Sequence, residues 1–211
     1  MKNIFILVSI ISLTLLFAGC GKQKTADVCL INSGSFACGS TSGTIDHSDL
    51  SGAMNTVLLA LKNNDLLTLS TFVGPQGLRF SPYEHVNITT DIVLSTDEVY
   101  NGLALSRSFT WGAYDGSGEP IDLGIGQYFE KFVYDADFVT APEIYHNKKF
   151  ERGNVINNIF DVYSGNYIVE YHFSQIDPQY EGMDRKSLYL IFENTNGQRY
   201  LIGIVHGQRT I

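Results

Sequence analysis

Two histidines in the C-terminal third of the chain could act as general bases. His172 lies in a stretch that alternates apolar and polar residues, and His206 lies close to the C-terminus. A histidine can take a proton from a substrate when a carboxylate orients its ring, and Asp184 or Glu170 could supply that carboxylate. A histidine in a strand is more often hydrogen-bonded in place, so hydrolase or isomerase chemistry is an alternative hypothesis.

A second group of residues could bind a small ligand. Aromatic side chains with a few directed polar groups are typical of small-molecule pockets, and the chain offers this set: Arg79, Tyr83, Trp111, Tyr114, Asp115, Glu119 and His172. Arg79 could grip a carboxylate or phosphate, or form a structural ion pair with Asp115 or Glu119, which we favour. Carboxylates beside aromatic rings also occur in sugar sites, and oxygen-rich loops bind calcium. A Gly-rich turn over residues 115–119 is the simpler interpretation.

The sequence lacks the patterns that hold metals and nucleotide cofactors. It contains no HExxH, no paired CxxC, no P-loop, no GxSxG and no dinucleotide fingerprint. We therefore expect neither a metal nor a cofactor. The net charge of −8 argues against nucleic acid as a partner, because phosphate binding needs a basic face.

The first twenty residues are typical of an export signal that ends in lipidation. Lys2 precedes an apolar run, residues 4–17, that is short for a membrane-spanning helix. The sequence LFAGC, residues 16–20, resembles the lipobox of bacterial lipoproteins, although Phe17 stands where Leu is usual. That resemblance implies cleavage before Cys20 and a diacylglycerol on its thiol. We therefore predict a cell-envelope protein whose domain lies outside the cytoplasm and which binds the lipid bilayer through Cys20.

The residues after the predicted lipidation site are typical of a flexible tether. They are rich in Ser, Gly, Thr and Asn and extend to about residue 47. Cys29 and Cys38 lie within this stretch, and an oxidising compartment favours a disulfide between them; a redox or metal pair and two free thiols are the alternatives. We divide the chain into a signal peptide, residues 1–19, a lipidated cysteine with its tether, residues 20–47, and one domain, residues 48–211.

The domain is predicted to begin with helices and to end with strands. Helical spacing and capping residues predict helices over 48–62, 95–105 and 126–134, and a short helix capped by Asp65. Strands are predicted over 91–94, 110–114, 155–163, 167–173, 187–192 and 200–205, with an extended or turn-rich segment over 77–83. Alternation places Tyr171 on one face of the strand over 167–173, and Glu170 and His172 on the other. This order predicts an α+β fold, in which N-terminal helices pack on a curved, cone-like antiparallel sheet that ends in a β-meander.

Two resemblances add to this interpretation. The segment LLALKNNDLLTLSTFV, residues 58–73, resembles the start of the nuclear-transport-factor-two-like (cystatin-like) superfamily, which implies a cavity between helices and sheet and, often, a homodimer formed through the open sheet face. Most of the domain also resembles a group of uncharacterised exported bacterial proteins through these motifs: GLRFSPYEHV (77–86), WGAYDGSGEPI (111–121), YFEKFVYDADFVTAPE (128–143), RGNVINNIF (152–160), VEYHF (169–173) and GMDRKSLYLIFE (182–193). That group implies no activity.

Our leading hypothesis is therefore a membrane-anchored, non-enzymatic domain that binds a small ligand or an envelope protein in the cone. An enzyme that uses His172 or His206 with a carboxylate is the first alternative, and it requires both groups within reach in one pocket. A structural envelope protein, in which the chain's own aromatic side chains fill the cone, is the second alternative. A cavity of a few hundred cubic ångströms would favour a binding protein over the structural one.

Overall fold

The computed structural model describes residues 30–32, 35–37, 47–104, 107–152 and 156–209. The chain divides into two compact units, residues 1–43 and 44–211. In the first, β1 (Leu30–Asn32) and β2 (Ser35–Ala37) pair as an antiparallel hairpin within the stretch predicted to be a tether. The predicted signal peptide, Cys20, Cys29 and Cys38 lie outside the described residues. Within the described ranges, no helix is long and apolar enough to cross a membrane.

The helices of the second unit begin at the capping residues that the sequence offers. Asp49 accepts hydrogen bonds from the first turn of α1 (Leu50–Lys62), and Asp65 does the same for α2 (Leu66–Thr71). Ser95 and Glu98 form a reciprocal capping box at α3 (Thr96–Tyr100). A fourth helix, α4 (Ile125–Tyr128), continues as a π-helical segment, Phe129–Val133. The predicted helix over 126–134 is therefore present with a widened second half, while α3 ends earlier than predicted.

A six-stranded sheet forms the centre of this unit. Its strands lie in this spatial order: β4 (Ile92–Leu94), β3 (Leu78–Ser81), β10 (Gln198–Gln208), β9 (Lys186–Thr195), β8 (Tyr167–Phe173) and β7 (Glu143–His146). Strands β7 to β10 form an antiparallel meander, so the α+β class with its C-terminal meander is confirmed. One pair departs from the antiparallel prediction, because β3 runs parallel to β10. The long chain between these two strands supplies the crossover that a parallel pair needs.

A separate hairpin lies beside the helices. Strands β5 (Ser108–Ala113) and β6 (Pro120–Gly124) pair antiparallel, and the segment between them turns at Gly116 and Gly118, both of which have positive φ. Two shorter turns of 3₁₀ helix span Phe138–Thr140 and Pro178–Tyr180. The predicted strand over 110–114 and the turn after it are confirmed.

The two faces of the six-stranded sheet are covered by different parts of the chain. On the core face, α1, α2 and α4 pack on a large apolar cluster that includes Phe80, Leu190 and Ile204. On the opposite side, the polar face, the loop 82–91 and the segment 156–163 cover a smaller cluster through Val86, Ile159 and Tyr163. The predicted alternation in β8 is confirmed, because Tyr171 belongs to the core-face cluster and His172 pairs with Ser187 on the polar face.

The predicted strand over 155–163 is wrong within its described part. Residues 156–158 have no regular structure, and α5 (Ile159–Val162) follows them. Asn157 Oδ1 accepts the hydrogen bond of the Ile159 N–H, and Asn158 bonds both the N–H and the carbonyl of Val86. These local side-chain bonds replace a strand ladder. The sequence prediction also missed β6 and β7, which are five and four residues long.

Candidate functional site

The polar face carries a buried network of titratable side chains from adjacent strands. Register pairs Glu170 with Tyr189 and His172 with Ser187 across β8 and β9. Ser187 Oγ lies 2.7 Å from both Glu170 Oε1 and His172 Nδ1. All four residues are at most 2% exposed. Alternation in the sequence placed Glu170 and His172 together, but nothing local in the sequence identified Ser187 and Tyr189 as their partners.

This network also includes two arginines, Arg152 and Arg185, and a further glutamate, Glu84, from the loop 82–91. Arg152 makes a two-pronged ion pair with Glu170, which a guanidinium and a carboxylate suit by shape. Tyr189 Oη donates to Glu84 Oε1 at 2.9 Å, and Arg185 Nη1 lies 3.9 Å from the same oxygen. Burial raises the pKa of Glu84, and the bond from Tyr189 and the charge of Arg185 only partly oppose it. No spacing in the sequence predicts this contact, because its members lie far apart in the chain: Glu84, Arg152 and Arg185.

The order of atoms in this network does not suit nucleophilic catalysis. Ser187 Oγ donates its hydroxyl hydrogen bond to Glu170 Oε1, so the same oxygen can only accept from His172 Nδ1–H. A serine nucleophile would instead give its proton to the histidine. His172 Nε2 faces Glu143 on β7 at 3.8 Å. Burial, together with the charge of Arg152, lowers the pKa of His172, which favours a neutral ring.

His206 belongs to a second cluster, on the core face. Its Nε2 lies 3.1 Å from Asp135 Oδ2, and its Nδ1 lies 3.3 Å from the carbonyl oxygen of Pro82. Lys186 forms an ion pair with the same carboxylate. Burial raises the pKa of Asp135, but the hydrogen bonds and charges of His206 and Lys186 outweigh it, so the net shift is downward. Asp135 and Lys186 were not predicted.

Asp184, one of the two carboxylates that were predicted to orient a histidine, instead accepts a hydrogen bond within the loop between β8 and β9. Asp184 Oδ2 accepts the N–H of Asp177 at 2.6 Å, and this bond lowers the pKa of Asp184. The structure therefore pairs the two histidines with other groups: His206 with Asp135, and His172 with Ser187. Of the two predicted carboxylates, only Glu170 lies near a candidate histidine, at 3.6 Å from His172 Nδ1.

The aromatic members of the predicted pocket pack against one another. Trp111 is fully buried, stacks on Tyr128 with ring centroids 3.8 Å apart, and donates to the Leu123 carbonyl at 2.8 Å. Tyr83 and Tyr114 both contact Phe132. Side chains thus occupy the space between helices and sheet where a ligand was predicted to bind.

The polar members of that predicted pocket are divided between separate places. Arg79 donates to the carbonyls of Ile88 and Asp91 on the polar-face side, and not to Asp115 or Glu119 as predicted. Asp115 and Glu119 are exposed in the β5–β6 turn, where the Asp115 N–H donates to Tyr83 Oη. Strand alternation sends Arg79 away from the core face, which explains why these charges do not meet.

An open groove of about 430 Å³ lies near the end of the sheet where the chain enters this unit. It is lined by the turn Gly74–Gly77, by Val93, and by the residues Ser95–Glu98 at the start of α3. Gly74 N–H bonds the Leu201 carbonyl, while His47 accepts from Arg199 close by on β10. No residue of the predicted pocket lines this groove. Among the described residues, no group of three or more His, Cys, Asp or Glu could hold a metal ion.

Comparison with known proteins gives one structural similarity. No family model matches the chain, and no curated protein matches it. A crystal structure of a putative calcium/calmodulin dependent protein kinase II association domain from Xanthomonas campestris is 10% identical to it, with a TM-score of 0.31. The match covers 76% of this chain and 85% of that domain. A similarity at this level does not transfer a function.

Proposed function

We propose that this chain is a lipid-anchored domain of the bacterial cell envelope that acts by binding and not by catalysis. The observation that carries the second half of this proposal is the burial of both candidate bases. His172 and His206 are 2% and 0% exposed, and each is held in a network of the chain's own groups. A general base must come within hydrogen-bond reach of its substrate. Both rings are covered by the chain's own side chains, which supports binding over catalysis.

The groove at Gly74–Gly77 is the site that supports binding best. Its volume is that of a small-molecule site, whereas Trp111 and its aromatic neighbours occupy the interior. The exposed side chains of Gln76, Thr96 and Asp97 offer hydrogen-bonding groups. Val93 offers an apolar surface that is 40% exposed. A small polar ligand, or a short segment of an envelope protein, suits this lining.

The anchor part of the proposal rests on residues 1–20, whose lipobox implies acylation of Cys20. For the fold, we propose that the domain belongs to the nuclear-transport-factor-two-like superfamily. The junction of α1 and α2 supports it: Asn64 takes positive φ, which ends α1, and Asp65 accepts from Thr68 N–H at 3.0 Å, which starts α2. Asn64 and Asp65, which lie within the segment 58–73 that carries the resemblance, therefore have a physical role here.

A hydrolase or isomerase is the second candidate, and the contact of His206 with Asp135 is the observation that favours it. A histidine 3.1 Å from a carboxylate is half of a catalytic arrangement. The other ring nitrogen, however, faces the carbonyl of Pro82, and no substrate could displace it without opening the core. A structural envelope protein, with its cone filled by its own side chains, is the third candidate.

The test uses the full chain, expressed in a bacterial host and extracted from its membranes in mild detergent. Intact-mass spectrometry should give a chain that begins at Cys20 and carries acyl groups, and Cys20→Ser should lack them. Native mass spectrometry of the same sample should show an additional bound mass. Thr96→Arg, which places a long side chain in the groove, should remove that mass, whereas Thr90→Arg, at an exposed position of the loop 82–91, should keep it.

These outcomes separate the parts of the proposal. An unmodified Cys20 would refute the anchor. A bound mass that survives Thr96→Arg would refute the groove as its site, and a reproducibly bare chain would favour the structural hypothesis. Loss of activity against a substrate on His206→Gln, with unchanged stability, would favour the enzyme.

A further inference from the structure

The loop between β8 and β9 carries three exposed apolar side chains within eight residues. Ile176, Tyr180 and Met183 are 49%, 48% and 56% exposed. Scattered apolar residues are normal on a protein surface, but a local group of them marks a contact site. Burying isoleucine and methionine away from water is favourable in free energy. Tyrosine is enriched at membrane–water interfaces, where its ring contacts apolar groups and its hydroxyl contacts water.

The loop is held in shape by its own hydrogen bonds. The Asp177 N–H donates to Asp184 Oδ2, and Asp177 in turn accepts from the main chain and side chain of Gln179. The Met183 N–H bonds the Tyr180 carbonyl. A backbone that is already hydrogen-bonded loses less on entering an apolar phase than a free one. A preformed loop also avoids the entropic cost of ordering on contact.

The charges of the loop indicate which surface it fits. The carboxylates of Asp177 and Asp184 accept hydrogen bonds inside the loop, and the pKa of Asp184 is lowered by its bond from the Asp177 N–H, so it stays ionised. Glu181 is exposed. A rim of negative charge around apolar side chains disfavours anionic lipid but does not disfavour zwitterionic headgroups.

From these features we infer that the loop 174–185 is a second, non-covalent contact with the bilayer that the lipid on Cys20 enters. The inference rests on the proposed anchor. The chain enters the domain at His47, which bonds Arg199, and Arg199 lies opposite Asn194 on β9. The loop precedes Lys186 at the other end of β9, about 27 Å away for eight residues of strand. The pairing of β1 with β2 takes residues 30–37 out of the reach of the stretch 20–47, and the roughly twenty remaining residues span at most on the order of 70 Å. That reach exceeds the length of β9, so the anchor leaves this end of the domain free to reach the bilayer.

This contact would set the direction in which the groove faces. The turn Gly74–Gly77 lies near the chain-entry end of the sheet, since Gly74 bonds the Leu201 carbonyl. With the loop 174–185 on the bilayer, the groove lies on the side of the domain away from the membrane, about 20 Å along β9 from the loop, because Leu201 lies opposite Phe192. A lipid on Cys20 alone would leave the domain free to tumble, whereas two contacts restrict it.

The experiment places a fluorescent reporter in the loop. The full lipidated chain carries one tryptophan, Trp111, which is buried in the core. Tyr180→Trp adds a second at the loop, and Ile88→Trp adds one at an isolated exposed site in the loop 82–91, where Ile88 is 64% exposed. Each protein is reconstituted into phosphatidylcholine vesicles with and without brominated acyl chains, which quench tryptophan on contact, and the wild-type signal is subtracted.

We expect brominated lipid to reduce the emission from position 180 by about twofold or more, because a ring at headgroup level reaches the upper acyl chain. Emission from position 88 should not change. Adding Met183→Asp to Tyr180→Trp should restore the emission, since a further charge opposes insertion. If Cys20 is acylated and emission from position 180 is unquenched, the loop contact is refuted while the anchor stands. An unmodified Cys20 refutes both.

Discussion

The two faces of the six-stranded sheet come from the same strands but are stabilised by different interactions. On β8 and β9, Tyr171 and Leu188 enter the apolar core-face cluster, while their neighbours His172 and Ser187 enter the polar-face network. Burial of apolar area stabilises the core face without strict directions. The polar face depends on specific pairs, each of which leaves an uncompensated group if its partner is lost. We therefore expect the polar face to be the more sensitive to single changes and the core face to tolerate conservative ones.

The largest effect should come from removing the carboxylate at the centre of the polar face. Glu170→Leu leaves Arg152 without its partner and Ser187 without its acceptor, and should lower the free energy of unfolding by about 3–5 kcal/mol. Replacing both members, Glu170→Leu with Arg152→Leu, should recover a large part of that loss. Urea denaturation followed by circular dichroism measures both. If the double variant is no more stable than the single one, the pair is not the source of the loss.

A smaller effect should follow from filling the space that a glycine leaves on the same face. A Cβ at Gly207 would lie 2.9 Å from both Glu84 Oε1 and Ser187 Cβ, so Gly207→Ala should cost about 1–3 kcal/mol through crowding. Gly126→Ala, in α4, is the matched control, because its Cβ would meet Leu103 at an ordinary 3.4 Å. That control should be neutral or slightly stabilising. Equal losses in both variants would mean that crowding of Glu84 is not the cause.

The core face should tolerate a conservative loss of volume. Ile204 is 1% exposed and lies opposite Leu190 on β9. Ile204→Val removes one methylene and should cost about 0.5–1.5 kcal/mol, without a change in the slope of the urea transition. Thermal unfolding by calorimetry is an independent check. A loss as large as that of Glu170→Leu would remove the contrast between the faces.

How much of this the sequence could predict differs between the same two faces. Local signals were sufficient for α1, α2 and β8, because capping residues and periodicity depend on neighbours in the chain. Alternation correctly put Glu170 and His172 on one face. The sequence also suggested the filled aromatic interior as one of its alternatives, and the stacking of Trp111 on Tyr128 supports that alternative.

The partners on the polar face could not be predicted, because they meet only through tertiary packing. Glu84 bonds Tyr189 across 105 residues of sequence, and Arg152 pairs with Glu170 from a segment that was expected to lead into a strand. Asn158 bonds Val86 across 72 residues, which explains why asparagines interrupt that predicted strand. The groove is equally non-local, since residues 74–77 and 93–98 form it together.

The smallest expected effect is a difference in pH dependence that isolates His172. Burial and the charge of Arg152 lower the pKa of this ring, against the opposing charges of Glu170 and Glu143, and Arg185 adds to the lowering. The folded protein therefore binds a proton at His172 less readily than the unfolded chain does. Its contribution to stability is complete above the ordinary histidine pKa, and is lost as the pH falls through that value toward the lowered one.

The measurement compares the urea midpoints of the wild type and His172→Gln at about pH 8 and about pH 5.5, a window that brackets the ordinary histidine pKa. The wild type should lose more stability on acidification than the variant. Glu84, whose pKa is raised by burial, contributes with the opposite sign, because its stabilisation is lost as the pH rises. That contribution is common to both proteins and cancels in the comparison. Parallel pH profiles would show that protonation of His172 does not lower the stability of the folded protein. The sensitivity of the polar face to substitution would then depend on the pair of Arg152 with Glu170.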